Sequence, residues 1–381
     1  MRRYISNLAF GVKKKGKETF SYGEPLSYEE AMEAYAPMSL TITLYDAENS
    51  IYGFTYNTSV KPLRPVIQIQ KGSELTDECQ EYAASVTEEM SYTSNGLAFT
   101  YYIVKTAIPL EQQTTYTYRA YDKDACIGTE AVTLVTKNTR SNSFTFVHAS
   151  DSQNSPTHFA EVLKNTVDST DFILHGGDIV EWSKYEQEWE AMLHSNFQYL
   201  SKVPMMAISG NHETAYQCGS NEIFKHFHNK MPTQDSTQKG YYYSFIYGNT
   251  KFIMLNNSHR IEGVKFFGDE QYAWLVNELE NNTCQWTVVA IHVPMFSVGK
   301  NGNSEEVLAL REQLQGVFAK YGVDIVLQGH DHTVSRTFPI NEQGKPQKET
   351  WRDMDGVGYS VNPNGTIYLM NGVAGNQHRG V

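Results

Sequence analysis

No run of about 18 consecutive apolar residues occurs in the chain, which argues against a membrane-spanning helix, and no low-complexity block interrupts it. Positive charge is scarce: 31 Lys and Arg stand against 43 Asp and Glu, a formal net charge of −12. Non-specific affinity for nucleic acid comes mainly from basic side chains on phosphates, so neither a nucleic-acid nor a membrane partner is expected. A small phosphorylated substrate is easier to reconcile with that balance. The four cysteines, Cys79, Cys126, Cys218 and Cys284, show no metal-ligand spacing. They read as buried free thiols, with a Cys79–Cys126 pair as the alternative. The basic start MRRYISNLAFGVKKKGKETF lacks an unbroken apolar segment and a small-residue cleavage site, so no signal peptide is read there. On that reading the protein is cytoplasmic if Met1 is its native start.

With 40% apolar and 19% charged residues, the chain reads as globular, and 381 residues favour two domains after an N-terminal arm, residues 1–38. From 39 to 138 the pattern has period two. Leu40, Ile42 and Leu44 alternate with polar residues, as do Phe54 and Tyr56, Tyr116 and Tyr118, and Val132 and Leu134. Turn-rich stretches, 46–50 and 94–96, separate such runs, which predicts a small antiparallel β-sandwich with its aromatic residues in the core. The polar KNTRSNS is the linker.

From 143 to 381 the rhythm becomes strand then helix, as in an α/β layered domain. Strands are expected in FTFVHAS, DFILHGG, PMMAISG, KFIMLNN, WTVVAIHV, DIVLQGH and GTIYLMNG. The first helix begins at Ser155-Pro156 and buries Phe159, Val162 and Leu163; others are expected near 185–198, 269–281 and 304–320. In the last of these Asn303 and Glu306 would form a capping box, Val307, Leu310, Leu314, Val317 and Phe318 share a face, and Gly322 closes the helix.

Five polar clusters sit at or just past strand candidates: Asp151-Ser152-Gln153, Gly177-Asp178, Gly210-Asn211-His212-Glu213, His292, and Gly329-His330-Asp331-His332. Ligands of open α/β sheets bind at the carboxyl ends of strands, so the fold can gather them. Carboxylate, amide oxygen and imidazole without cysteine suit Mg, Mn, Fe or Zn. Two hydrolytic metals need a carboxylate that spans them, a role for Asp178, and His330 and His332 can bind one to each. His148, His175, His194, His226, His228 and His259 match no such cluster and read as core or surface residues.

In this order the clusters resemble the calcineurin-like metallophosphoesterase superfamily. The preceding segment, ending in TTYTYRAYDKDACIGTEAVTLVT, looks like the fibronectin-type-III-like domain of purple acid phosphatases, and GHDHTVSRTFP also looks like that branch. The resemblance implies an α/β/β/α sandwich, two mixed sheets flanked by helices. It also implies hydrolysis of phosphate esters by a hydroxide held between two metal ions. Phosphomonoesters come first, with phosphodiesters or nucleotides as the alternative and a non-catalytic binding protein as a distant third. It places Asp151, Asp178 and His332 on the first ion, and Asp178, Asn211, His292 and His330 on the second. His212 would contact the phosphate and protonate the leaving oxygen. Secretion is common in this family, so an exported protein with its leader removed is the alternative compartment.

Two positions depart from the pattern. Gln153 replaces the histidine common two residues after the first Asp, and Glu181 replaces the tyrosine that colours purple acid phosphatases. The resemblance therefore implies a colourless enzyme whose first site takes Mn, Mg or ferrous iron. Gln153 or Glu181 would be an extra ligand there, or else a hydrogen-bonding neighbour or a solvated side chain. The histidines that follow the lone-His motif in those phosphatases are missing from VPMFSVGKNGNSEE.

Overall fold

Alternating apolar residues become strands throughout the first domain. The computed structural model describes residues 36–377 apart from 95–96, 154, 215–221, 233–241 and 259–267, together with the short antiparallel pair Gly11–Lys13 and Phe20–Tyr22. Cys218, His259 and part of the turn at 94–96 lie outside the described residues, as does most of the arm.

One sheet of the sandwich runs in the order Met38–Asp46, Ile51–Thr58, Leu97–Pro109, Ser85–Ser94. The other has the order Ile127–Gly128, Thr115–Asp122, Pro65–Lys71, Gln80–Ala83, with Val132–Val135 also paired to Thr115–Asp122. Leu40, Ile42 and Phe54 from the first meet Ile67, Tyr116, Tyr118 and Leu134 from the second in one apolar cluster. Phe54 packs edge-on to Tyr118 with ring centroids 5.1 Å apart, as expected of core aromatics. The cluster continues into Phe172, Leu174 and Met206 of the next domain. Polar bonds cross the same boundary: Tyr118 Oη donates to the Ser201 carbonyl (2.6 Å) and Thr41 Oγ1 to that of His226 (3.0 Å).

The second domain has four layers. A three-stranded parallel sheet, Phe146–Ala149, Phe172–His175 and Met205–Ala207, faces a six-stranded mixed sheet. The latter runs Tyr243–Tyr247, Thr250–Met254, Trp286–Ala290, Ile325–Gln328, Ile367–Asn371, Val334–Arg336. Between them Phe172 is the centre of an aromatic seam, stacked on Phe146 at 5.4 Å and edge-on to Phe252 at 5.3 Å. Phe172→Ala is expected to cost about 3–5 kcal/mol of stability, measured by denaturant unfolding. Helices α1 (Pro156–Thr166) and α2 (Glu186–Ser195) cover the smaller sheet through Phe159, Leu163, Trp189 and Leu193. Helices α3 (Asp269–Glu280) and α4 (Glu305–Lys320) cover the larger through Leu275, Leu310, Leu314 and Phe318.

Details differ from expectation. The cap of α4 is Ser304, whose hydroxyl accepts the Val307 N–H at 3.3 Å, one residue later than the Asn303 cap. At its other end Gly322, at φ +68°, allows the Val323 N–H to reach the Phe318 carbonyl at 2.9 Å and close the last turn. Ser155 makes no capping bond, because its hydroxyl is turned to the Gln153 carbonyl at 3.2 Å. The helix near 185–198 ends at Ser195, where Asn196 leaves helical geometry before a separate turn, Phe197–Leu200. Cys79, Cys126 and Cys284 are free, as read, but Cys79 and Cys284 are half-buried and Cys126 is exposed, so the expected burial does not hold for these three. Cys79 and Cys126 adjoin strands on opposite edges of the five-stranded sheet, with two strands between, beyond the ~7 Å reach of a disulfide.

Candidate metal centre

The polar clusters meet where strands of both sheets end. Phe146–Ala149 leads to Asp151, Phe172–His175 to Asp178, Met205–Ala207 to Asn211 and His212, Trp286–Ala290 to His292, and Ile325–Gln328 to His330 and His332. The turns are tight. Gly177 has φ +92°, and a Cβ there would stand 2.6 Å from the Gly210 nitrogen and 2.8 Å from His292 Nδ1; one on Gly210 would collide with the Asp178 carboxylate. Side chains at both positions would close the site. Four of the ten described non-glycine residues with positive φ, Asp151 (57°), Gln153 (22°), Asp178 (53°) and His330 (71°), lie here, a concentration of backbone strain typical of functional turns.

One atom each of Asp178, His292 and His330 lie within 4.8 Å of one another, with His292 Nε2 3.1 Å from Asp178 Oδ2. Asn211 Oδ1 joins them, 2.7 Å from His330 Nδ1 and 3.2 Å from His292 Nε2. Beside this group His332 Nε2 stands 3.4 Å from Asp151 Oδ1, and the His330 backbone N–H donates to both Asp151 carboxylate oxygens (3.1 and 3.0 Å). Gln153 lies next to Asp178, its Nε2 3.3 Å from Oδ2. His212, at the rim, directs Nδ1 to the Glu181 carbonyl at 2.7 Å and holds Nε2 3.9 Å from Asp178 Oδ2. Glu181 thus comes to His212, its Oε1 3.8 Å from Nδ1. All the residues singled out by motif therefore gather at one edge, whereas His175 and His226 are buried in the core, His148 is half-buried and His194 is on the surface.

Backbone carbonyls and buried side chains aim these groups. His292 Nδ1 pairs with the Gly176 carbonyl at 2.8 Å and His332 Nδ1 with that of Gln377 at 2.6 Å, leaving each Nε2 to face a carboxylate. Three further residues position the site: Glu213 and Asp331, which the motifs contain without disclosing their partners, and Asn257, which no motif marks. Glu213 accepts the N–H groups of Asp178 (2.8 Å), Ile179 (2.8 Å) and Gly210 (2.7 Å), tying two turns together. Asn257 Oδ1 accepts from the backbone of His292 (3.0 Å) and Val293 (3.1 Å). Asp331 turns away from its histidine neighbours to accept Ser297 Oγ (2.5 Å) and Asn301 Nδ2 (2.6 Å), which anchors the 297–301 loop. A carboxylate directly after Asn-His, and a second Asn ending KFIMLNN, were the signals available.

The charges are tightly linked. Burial opposes ionisation of Asp178, yet the imidazoles of His292, His212 and His330 hold it well below the usual carboxylate range. Burial works against protonated His292 too, but Asp178 and Asp151 raise it to about 10. His330 falls to about 4 through burial and the neighbouring His292, and burial with the Asp178 charge lifts Glu213 to about 7. Among the described residues no lysine or arginine pairs with Asp151 or Asp178. Gln153 Oε1 is buried without a hydrogen-bond partner. Two converging carboxylates, an amide and three imidazoles, served by no lysine or arginine among the described residues, are a donor set that fits divalent metal ions.

Residues 144–334 match the model of the calcineurin-like phosphoesterase family. The chain belongs to that family. Within it the protein is purple acid phosphatase-like, its β-sandwich corresponding to the N-terminal domain of that branch. It is 26% identical over 201 residues to purple acid phosphatase 15 of Arabidopsis thaliana, covering 51% of this chain and 34% of that protein. It is 29% identical over 238 residues to probable inactive purple acid phosphatase 24 of the same plant, covering 56% and 36%. The chain thus spans little more than a third of these relatives' length. The structure of purple acid phosphatase PPD1 from yellow lupin seeds matches in fold, with a TM-score of 0.70 at 18% identity over 90% of this chain and 66% of that one.

Proposed function

We propose that the protein hydrolyses small phosphate monoesters with the help of two metal ions. The observation that carries this reading is the buried convergence of Asp178, His292 and His330, with Asn211 on one side and Asp151 and His332 on the other. Asp151, Asp178 and His332 would hold one ion and Asp178, Asn211, His292 and His330 the second, with Asp178 common to both. Bound there, the ions supply Lewis acidity towards phosphoryl oxygens and acidify water. The chain's own contribution is orientation and proton transfer. With Nδ1 occupied by the Glu181 carbonyl, His212 carries its exchangeable proton on Nε2, at the open side of the site. Although burial opposes it, Asp178 and that carbonyl raise the affinity of His212 for a proton, so it can serve the departing oxygen as an acid. Catalytic roles thus fall to Asp178 and His212.

The test is turnover of chromogenic and alkyl phosphate mono- and diesters with added manganese. His212→Ala is expected to lower kcat on an alkyl monoester about 10²–10⁴-fold, and far less on a nitrophenyl ester, whose leaving group needs no proton. Equal losses on both esters would remove His212 from that role. Preference for the diester would move the reading to a phosphodiesterase. Absence of turnover with any metal would favour a non-catalytic protein, like the relatives whose names mark them as inactive.

A further inference from the structure

We infer that Gln153 is an oxygen ligand of the ion held by Asp151, Asp178 and His332, that Glu181 is not, and that this ion is Mn²⁺ or Mg²⁺ in preference to Zn²⁺. The inference rests on the two-ion reading above and deepens it. Gln153 is only 5% exposed, and its Oε1 is buried with no partner. Covered amide oxygens are almost always satisfied, so the bare acceptor shows that the protein's own groups do not complete this amide.

The backbone sets the direction. Asp151 N donates to the Gly177 carbonyl (3.0 Å) and Gln153 N to that of Asp178 (3.2 Å), stitching the 151–153 turn to the turn that carries Asp178. Ser152, between them, is turned away: its Oγ donates to the Ile179 carbonyl at 3.1 Å and lies 3.1 Å from His175 Nε2. Gln153 is left beside the carboxylates, its amide 3.3 Å from Asp178 Oδ2 through Nε2 alone. The two ends of an amide are nearly isosteric, and a half-turn puts Oε1 where Nε2 stands. Two oxygens that close are compatible across a cation.

Glu181 is placed otherwise. Its side chain is 31% exposed, and both its carbonyl (2.7 Å) and its carboxylate (3.8 Å) attend His212 Nδ1. It orients the imidazole. A site of two carboxylates, one amide oxygen and a single imidazole is oxygen-rich, which favours hard ions over zinc.

Elemental analysis and manganese titration followed by electron paramagnetic resonance test this without reference to turnover. The parent protein should take up two equivalents. Gln153→Leu should retain one, or need about 10–100-fold more manganese for the second. Gln153→Glu should restore two, Gln153→His should bind two but shift preference towards zinc, and Glu181→Gln should match the parent. Unchanged uptake by folded Gln153→Leu, or loss of an ion in Glu181→Gln, overturns the inference while leaving the two-ion reading intact. If Gln153→Leu does not fold, the decision falls to Gln153→His: a metal preference equal to the parent's overturns the inference. A parent protein that binds no ion removes both, and is recognised before any variant is made.

Discussion

Asp178→Asn is expected to abolish metal uptake and lower hydrolysis by roughly 10³-fold or more, beyond the 10²–10³-fold typical of losing one neutral donor. On the two-ion reading proposed above the carboxylate would be shared by both ligand sets, and an amide offers one neutral oxygen in place of a charged carboxylate. The change should leave the fold alone. Asn tolerates the φ of 53° that residue 178 adopts, and the bond from its N–H to Glu213 at 2.8 Å involves only main chain at that position. Removing the negative charge also relieves Glu213, whose ionisation Asp178 opposes. Metal content by elemental analysis, steady-state rates and a thermal melt together check the expectation. A variant that keeps two equivalents of metal and parental activity contradicts it.

Acid is expected to unfold the protein well above the pH at which carboxylates usually titrate. Burial lowers His148 to about 4, His175 to about 3 and His228 to about 4, and holds His226 well below the usual imidazole range. His148 and His228 are partly exposed as residues, but the His148 Nε2 is covered. In the unfolded chain each histidine takes up a proton near pH 6.5, whereas the folded chain refuses it. Below pH 6.5 the unfolded state therefore binds more protons, and stability falls as the pH drops towards 4. Each group accounts for up to roughly 3 kcal/mol by linkage, a large fraction of the stability of any domain. His292 does not offset this trend, because its raised value gives stability that is complete below pH 6.5 and is lost only on approach to pH 10. Urea unfolding at pH 7 and pH 4.5 should show a large drop in midpoint, reduced in His175→Leu. Equal midpoints at the two pH values would show that these rings accept protons in place.

What the sequence discloses is what repeats or clusters. Period-two runs reveal the sandwich, and apolar segments that end in Asp, Asn or His reveal both the parallel strands and the edge where they open. Side chains that bond to distant backbone are hidden. The motif places Glu213 in a polar cluster but does not disclose its role, since its partners at 178 and 179 are more than thirty residues away. The strand Tyr243–Tyr247 is not among the expected strands, although it joins Thr250–Met254 through Gly248-Asn249, a two-residue loop that suits a hairpin. The hairpin Trp351–Met354 with Val357–Ser360 leaves no mark in the sequence, because its residues are largely exposed and carry no alternation. The Ser304 cap was misplaced by one residue because Asn303 and Ser304 are equally competent cappers and only geometry chooses between them.

The grip of Glu213 on the amides of two separate turns has a consequence for how the protein is assembled. Asp178 and Asn211 owe their relative placement to main-chain bonds that no ion makes, and His292 owes its own to Asn257. In the smallest zinc domains, taking up metal and folding are a single event. Here the candidate ligands are arranged on a scaffold whose cohesion lies elsewhere, in the aromatic seam and the continuous core. On the two-ion reading the ions would be tenants of a finished building, and treatment with a chelator is expected to remove them, and any hydrolysis they support, without melting the protein.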